Sequence, residues 1–226
     1  MSVTVIIQAS TTMSVTDMAT RGAHRIGSMA RWEPHTRERL ARAALELYSE
    51  HGYEGTTVAQ IAARAGLTER TYFRHFGDKR EVLFDGSHDL ETALTGAVTG
   101  APADASPRAA LAAGLDALGA AFRGMRAHAR TRQAVIAAQR ELRERELIKI
   151  ATLTRALAEA LRLRGVAEPD ASLLAEAGLG IFRTGFERWV GEAGAGAGDG
   201  TAAGEVPLLT LLREGLDTLS DTLAED

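Results

Sequence analysis

Apolar residues recur at helical spacing along almost the whole chain after residue 35. Over 37–51, Leu40, Ala43, Ala44, Leu47 and Tyr48 fall at i, i+3, i+4, i+7 and i+8 and make one apolar stripe. Thr36 precedes the stripe in the position of a cap, and Gly52 follows it where a helix ends in a left-handed residue. A second helix starts after Thr57, with Val58, Ile61, Ala62 and Ala65 repeating the spacing, and a third spans 69–76 after Thr68. Further helices are predicted over 79–99, 107–129, 131–139, 141–164, 170–190 and 207–223. Pro107 suits a first helical turn because its φ is already helical. No alternating pattern of useful length points to a strand, so the expected fold class is all-α.

The second and third helices have the spacing of a helix-turn-helix. Two short helices crossing steeply need a small residue at the contact, supplied by Ala62, and a tight turn, supplied by Gly66. Ile61, Leu67, Tyr72 and Phe76 would then close a small core against the first helix. Glu69, Arg70, Thr71, Arg74 and His75 are left facing outward as base-reading candidates. In a major groove, Arg reads guanine through two hydrogen bonds, and Glu accepts from cytosine N4 or orients a neighbouring Arg. The bland alternative for the same spacing is a helical hairpin with a solvated charged face.

The stretch 37–84 resembles the N-terminal domain of TetR-family (tetracycline-repressor-like) transcriptional regulators. The resemblance is carried by Gly52-Tyr53, Thr56-Thr57, Ile61-Ala62, Ala65-Gly66, Thr68, Thr71, Phe73, Phe76, Lys79 and Leu83. It implies a helix-turn-helix DNA-binding domain at 36–82, after an N-terminal extension over 1–35, and a helical ligand-binding and dimerisation domain at 83–226. It also implies a homodimer on a palindromic operator in double-stranded DNA, released by a small-molecule effector, with Thr57 and Lys79 as phosphate contacts; Thr68, capping the third helix, is a further phosphate candidate. Three positions depart from the family pattern. Phe73 stands where many members place a Tyr that touches a phosphate, His75 where a second aromatic is common, and Arg70 where glycine is frequent.

In the last two helices, Leu209, Leu212, Leu216 and Leu219 form a heptad-like seam, and Leu208, Leu211 and Gly215 a second apolar side. Gly178 and Gly185 sit among Ile181, Phe182 and Trp189, where glycine costs about 1 kcal/mol unless another helix approaches closely. Gly178, Ile181, Gly185, Trp189, Leu208, Leu211, Leu212 and Gly215 are therefore dimer-interface candidates, in line with the resemblance; burial within one subunit is the alternative. Phe122, Phe182, Arg183 and Phe186 are candidates for an effector pocket. In the run 140–146, Arg140/Glu144 and Glu141/Arg145 stand four apart, as on a solvated salt-bridged face.

Composition narrows the alternatives. The 226 residues include no cysteine, which excludes disulfides, thiolate metal sites and a Cys nucleophile. The six histidines are scattered without a metal-ligand spacing, so no metal or cofactor is expected and a helical enzyme is disfavoured. An architectural DNA binder that needs no ligand is the other competing reading. No apolar run approaches a membrane span, and 1–35 has neither signal-peptide features nor a sustained period, so a cytoplasmic location and a disordered extension are expected, with Arg21, Arg25 and Arg31 as a basic arm. The run 191–204 reads as a flexible linker. The net charge of −4 looks unpromising for a nucleic-acid partner, but it is unevenly spread. Residues 1–80 hold 11 Lys and Arg against 8 Asp and Glu, whereas the remainder holds 15 against 22.

Overall fold

The computed structural model describes residues 35–191 and 206–224, so the extension and most of the glycine-rich run lie outside the described residues. Every regular element among the described residues is helical. Helices α1 (Thr36–His51), α2 (Val58–Arg64) and α3 (Glu69–His75) come first. Thr36 is the first residue of α1 rather than its cap. The cap position falls to His35, at φ 73°, whose ring Nδ1 meets Glu38 at 2.9 Å. Gly52 does take a positive φ of 74°, although its ψ of 164° is extended rather than left-handed helical.

The helix expected over 79–99 is broken. Asp78 accepts hydrogen bonds from the amides of Arg80 (2.7 Å) and Glu81 (3.1 Å) and starts a separate 3-10 turn, Glu81–Phe84. Gly86, at φ 81°, then redirects the chain into α4 (Ser87–Thr99). The helix expected over 107–129 is broken as well. Helix α5 (Pro107–Ala121) stops before Gly124, whose φ of 74° no helix interior accepts, and α6 (Arg126–Ala138) begins beyond it. The last three, α7 (Arg140–Leu163), α8 (Asp170–Gly191) and α9 (Leu208–Ala224), lie within two residues of expectation.

Arg126 and Arg130 explain where α6 sits. Their Nε groups donate to the carbonyls of Trp189 (2.7 Å) and Val190 (2.8 Å), which the end of α8 leaves without helical partners. Two apolar clusters result. One gathers Leu40, Ala44, Leu47, Tyr48, Ile61, Tyr72, Phe76 and Phe84, and extends onto α6 and α7 through Val135, Ile136 and Leu142. The other fills the space among α4, α5, α7, α8 and α9, with Leu94, Leu111, Leu115, Leu153, Leu157, Phe182 and Leu212 inside.

Candidate nucleic-acid interface

Local chemistry sets the helix-turn-helix. Thr57 Oγ1 accepts from the Gln60 amide at 3.2 Å while Gln60 Oε1 accepts from the Thr57 amide at 2.7 Å, a reciprocal cap at the start of α2. Helix α2 ends with the Leu67 amide on the Ala62 carbonyl (2.8 Å) and the Gly66 amide on the Ala63 carbonyl (2.9 Å), a pairing that requires the left-handed φ of 67° found at Gly66. Arg39 of α1 donates to the Ala65 carbonyl at the same turn. Thr68 Oγ1 then accepts from the Thr71 amide at 3.3 Å and opens α3. Ala62 is fully buried at the crossing, as its size requires.

The inner side of α3 is locked. Tyr72 is fully buried, its ring 5.4 Å from that of Phe76, and its hydroxyl donates to the Asp78 carbonyl at 3.1 Å. Tyr48 donates to the Lys79 carbonyl at 2.8 Å, and burial pushes both hydroxyls well above the ordinary tyrosine range. On the outer side, Glu69, Arg70 and Arg74 are exposed, and Thr71 and His75 are half-buried, so the five base-reading candidates share one helix and its solvent side. Neither Arg70 nor Arg74 has an ion-pair partner among the described residues, in contrast to Arg64, which grips Glu50 with two hydrogen bonds (3.0 and 2.7 Å). Partial burial, with Arg74 and Arg37 nearby, holds the His75 pKa below its ordinary value, so the ring is neutral at pH 7.

The three phosphate candidates are placed differently. The hydroxyls of Thr57 and Thr68 are both engaged in caps, and both residues are exposed. Lys79 is half-buried; its ammonium donates to the carbonyls of Tyr53 (2.8 Å) and Thr56 (3.1 Å) and lies 4.0 Å from the centroid of the Tyr53 ring. Two of its three protons are thus used internally, and it does not stand at the start of α4.

A charged knot joins this unit to α6 and α7. Arg132 donates to the Leu83 carbonyl (2.6 Å) and to Glu146 (2.8 Å), Lys149 donates to Glu146 (2.7 Å), and Arg145 reaches Glu81 (3.1 Å). The guanidinium groups of Arg132 and Arg145 lie 5.2 and 5.1 Å from the Phe84 ring centroid. Burial, then Arg132, holds the Lys149 ammonium down to a pKa of about 8. Burial works to raise the Glu146 pKa, but Arg132 and Lys149 outweigh it and keep the carboxyl below its ordinary range.

Phe122, Phe182 and Phe186 come together with Trp189 in an aromatic cluster, with centroids 5.2–6.1 Å apart, while Arg183 stays exposed. A groove of about 640 Å³ lies elsewhere, between α4 and α7, lined by Thr92, Thr95, Gly96, Thr152, Arg155 and Glu159 among others. Of the dimer-interface candidates, Gly178, Gly185, Trp189, Leu208, Leu211 and Leu212 are buried inside this one chain. A Cβ on Gly178 would meet Leu111 Cδ1 at 2.6 Å, one on Gly185 would meet Leu212 Cδ2 at 2.9 Å, and one on Gly215 would meet Ile181 Cγ2 at 2.9 Å. The close approach that these glycines permit is therefore made within the chain, and Ile181 and Gly215 are only half-buried.

Residues 40–85 match the family model of bacterial regulatory proteins, tetR family. The chain thus contains the N-terminal domain of that family, over 46 of its 226 residues. TcmR of Streptomyces glaucescens, an HTH-type transcriptional regulator, is 40% identical over 90 residues, which make up 40% of this chain and 37% of TcmR. The chain therefore matches well under two thirds of that relative's length. A TetR-family regulator from Syntrophomonas wolfei superposes with a TM-score of 0.59 at 15% identity, covering 85% of this chain and 96% of that one. FadR of Bacillus subtilis, solved in complex with stearoyl-CoA, superposes with a TM-score of 0.52 at 20% identity, covering 80% of this chain and 96% of FadR. At such identities the likeness concerns the fold.

Sequence reasoning missed the knot, yet a signal was present. Glu146 and Lys149 fall in register with Leu142, Leu153 and Leu157, on the core stripe of α7, where an unpaired charge would be costly. Arg140 does pair with Glu144 at 2.9 Å, but Arg145 pairs with Glu81.

Proposed function

We propose that this chain is a sequence-specific DNA-binding transcriptional regulator, acting as a homodimeric repressor that a small-molecule effector releases from a palindromic operator. The observation that carries the reading is the outer side of α3, where Arg70 and Arg74 have no ion-pair partners among the described residues while Tyr72 and Phe76 fix the helix from behind. Arginines held in this way are ready for guanine edges, with Glu69, Thr71 and His75 beside them and Thr57, Thr68 and the third proton of Lys79 for phosphates. One such unit touches few base pairs, and a twofold pair reads two half-sites about one turn apart. The second subunit is proposed to meet the outward side of α8, where Leu173 is 64% exposed and Ala177, Gly180 and Thr184 continue at helical spacing. A Cβ on Gly180 would meet nothing within 4 Å, so this side has room for a close partner helix. The groove along α4 and α7 is the proposed effector site, because α4 follows directly on the DNA-reading unit.

Selection of bound sequences from random duplex DNA by the purified protein tests the reading. A palindromic consensus is expected, and dispersed or absent enrichment would refute it. Arg70→Ala and Arg74→Ala are each expected to lose about 1–3 kcal/mol of binding and to relax preference at one operator position. Wild-type specificity in both variants would remove α3 as the reading surface.

A further inference from the structure

Phe73 is out of place for a folded chain. It is 54% exposed, whereas Tyr72 beside it on α3 and Phe76 just after the helix are buried. Its ring packs edge-on against Tyr72, with centroids 5.6 Å apart and planes at 82°, so it is held in one position while its outer face stays bare. The fold gains little from an aromatic there. On α3, residue 73 lies three positions after Arg70 and one before Arg74, both exposed. Helical side chains lean back toward the preceding turn, so this ring overhangs the turn that carries Glu69 and Arg70, the part of a recognition helix that meets base edges.

The major groove offers an exposed aromatic few partners. Base edges there are hydrogen-bond donors and acceptors, with one apolar exception, the 5-methyl group of thymine. We propose that Phe73 reads a thymine methyl in the operator, beside whatever bases Arg70 and Arg74 select. This rests on the DNA-binding function proposed above. It makes Phe73 a specificity-determining residue whose preference comes from apolar contact, and it supplies a role for the missing phenolic hydroxyl: an oxygen at that edge would keep water between ring and methyl.

The test replaces single thymines by deoxyuridine, which removes the methyl and nothing else, at each position of the operator obtained by selection. Binding of the full-length protein is measured for wild type, Phe73→Ala and Phe73→Tyr, with far-UV circular dichroism as the control for folding. At one thymine position, wild type should bind the deoxyuridine duplex about fourfold more weakly, the transfer value of one methyl-sized group. Phe73→Ala should bind the thymine operator more weakly and no longer distinguish the two duplexes, and Phe73→Tyr should show a reduced distinction. Wild-type indifference to deoxyuridine at every position would overturn the proposal and point to the sugar–phosphate backbone. An unchanged thymine preference in Phe73→Ala would overturn it too. If wild type selects no DNA, it is the regulator reading that fails, and the proposal falls with it.

Discussion

Lys79 shows what a single residue can and cannot disclose. Its place in the motif was legible, six residues after Phe73 and three after Phe76, but its partners were not. They are the carbonyls of Tyr53 and Thr56, which the ammonium reaches 26 and 23 residues away in sequence. Lys79→Met should therefore destabilise the fold by about 1–3 kcal/mol, since two carbonyls lose their donor. Urea denaturation measures this. A phosphate contact adds a separate signature, a salt dependence of DNA binding that is shallower by about one unit of slope. Unchanged stability would show that water replaces the ammonium at no cost. Gly66 and Thr68 were more readable than Lys79, because a left-handed turn and a helix cap are settled within a few residues.

At the scale of elements, the apolar stripes placed the helices and failed at two of their breaks. The end of α5 was missed because Ala120 and Ala121 carry good helical propensity up to Gly124, and only the carbonyls at the end of α8 show why a new helix should begin at Arg126. Where α5 meets α9, a Cβ on Gly119 would come within 2.8 Å of the Leu209 Cα, a backbone atom that cannot rotate aside. Gly119→Ala should thus separate the two helices and cost about 1–3 kcal/mol by overpacking, against the gain in helical propensity; thermal denaturation would reveal it. Helix α7 offers a prediction in pH. The Lys149 pKa is depressed in the fold to about 8 from 10.5, so between those values the unfolded chain binds more protons. Folding stability attributable to Lys149 must then rise with pH from about 8 to 10.5 and stay flat below, by at most about 1.4 kcal/mol per pH unit. The difference in unfolding free energy between wild type and Lys149→Met, followed from pH 7 to 10, should show that rise, and a pH-independent difference would contradict it.

The whole molecule turns on how a basic end is joined to an acidic body. Residues 1–80 carry a surplus of positive charge and the residues beyond them a surplus of negative charge, a split that the total of −4 conceals and that agrees with the proposed docking of DNA on α3. For assembly, Leu173→Asp on the outward side of α8 should shift the protein toward monomer in sedimentation and weaken operator binding, while leaving the fold intact because that side chain is 64% exposed. A dimer of undiminished strength would move the interface elsewhere. By itself the sequence determined the all-α class, the caps and turn of the helix-turn-helix and the exposed arginines of α3, because stripes, caps and tight turns are decided by neighbours three to five residues apart. Only the tertiary structure decided that Gly178, Gly185 and Gly215 are filled from within the chain, that Arg145 belongs to Glu81 across 64 residues, and that Lys149 is buried against a half-buried Glu146. The reason is physical: an arginine or a glycine fits many partners, and which one it meets is set by the packing of distant helices.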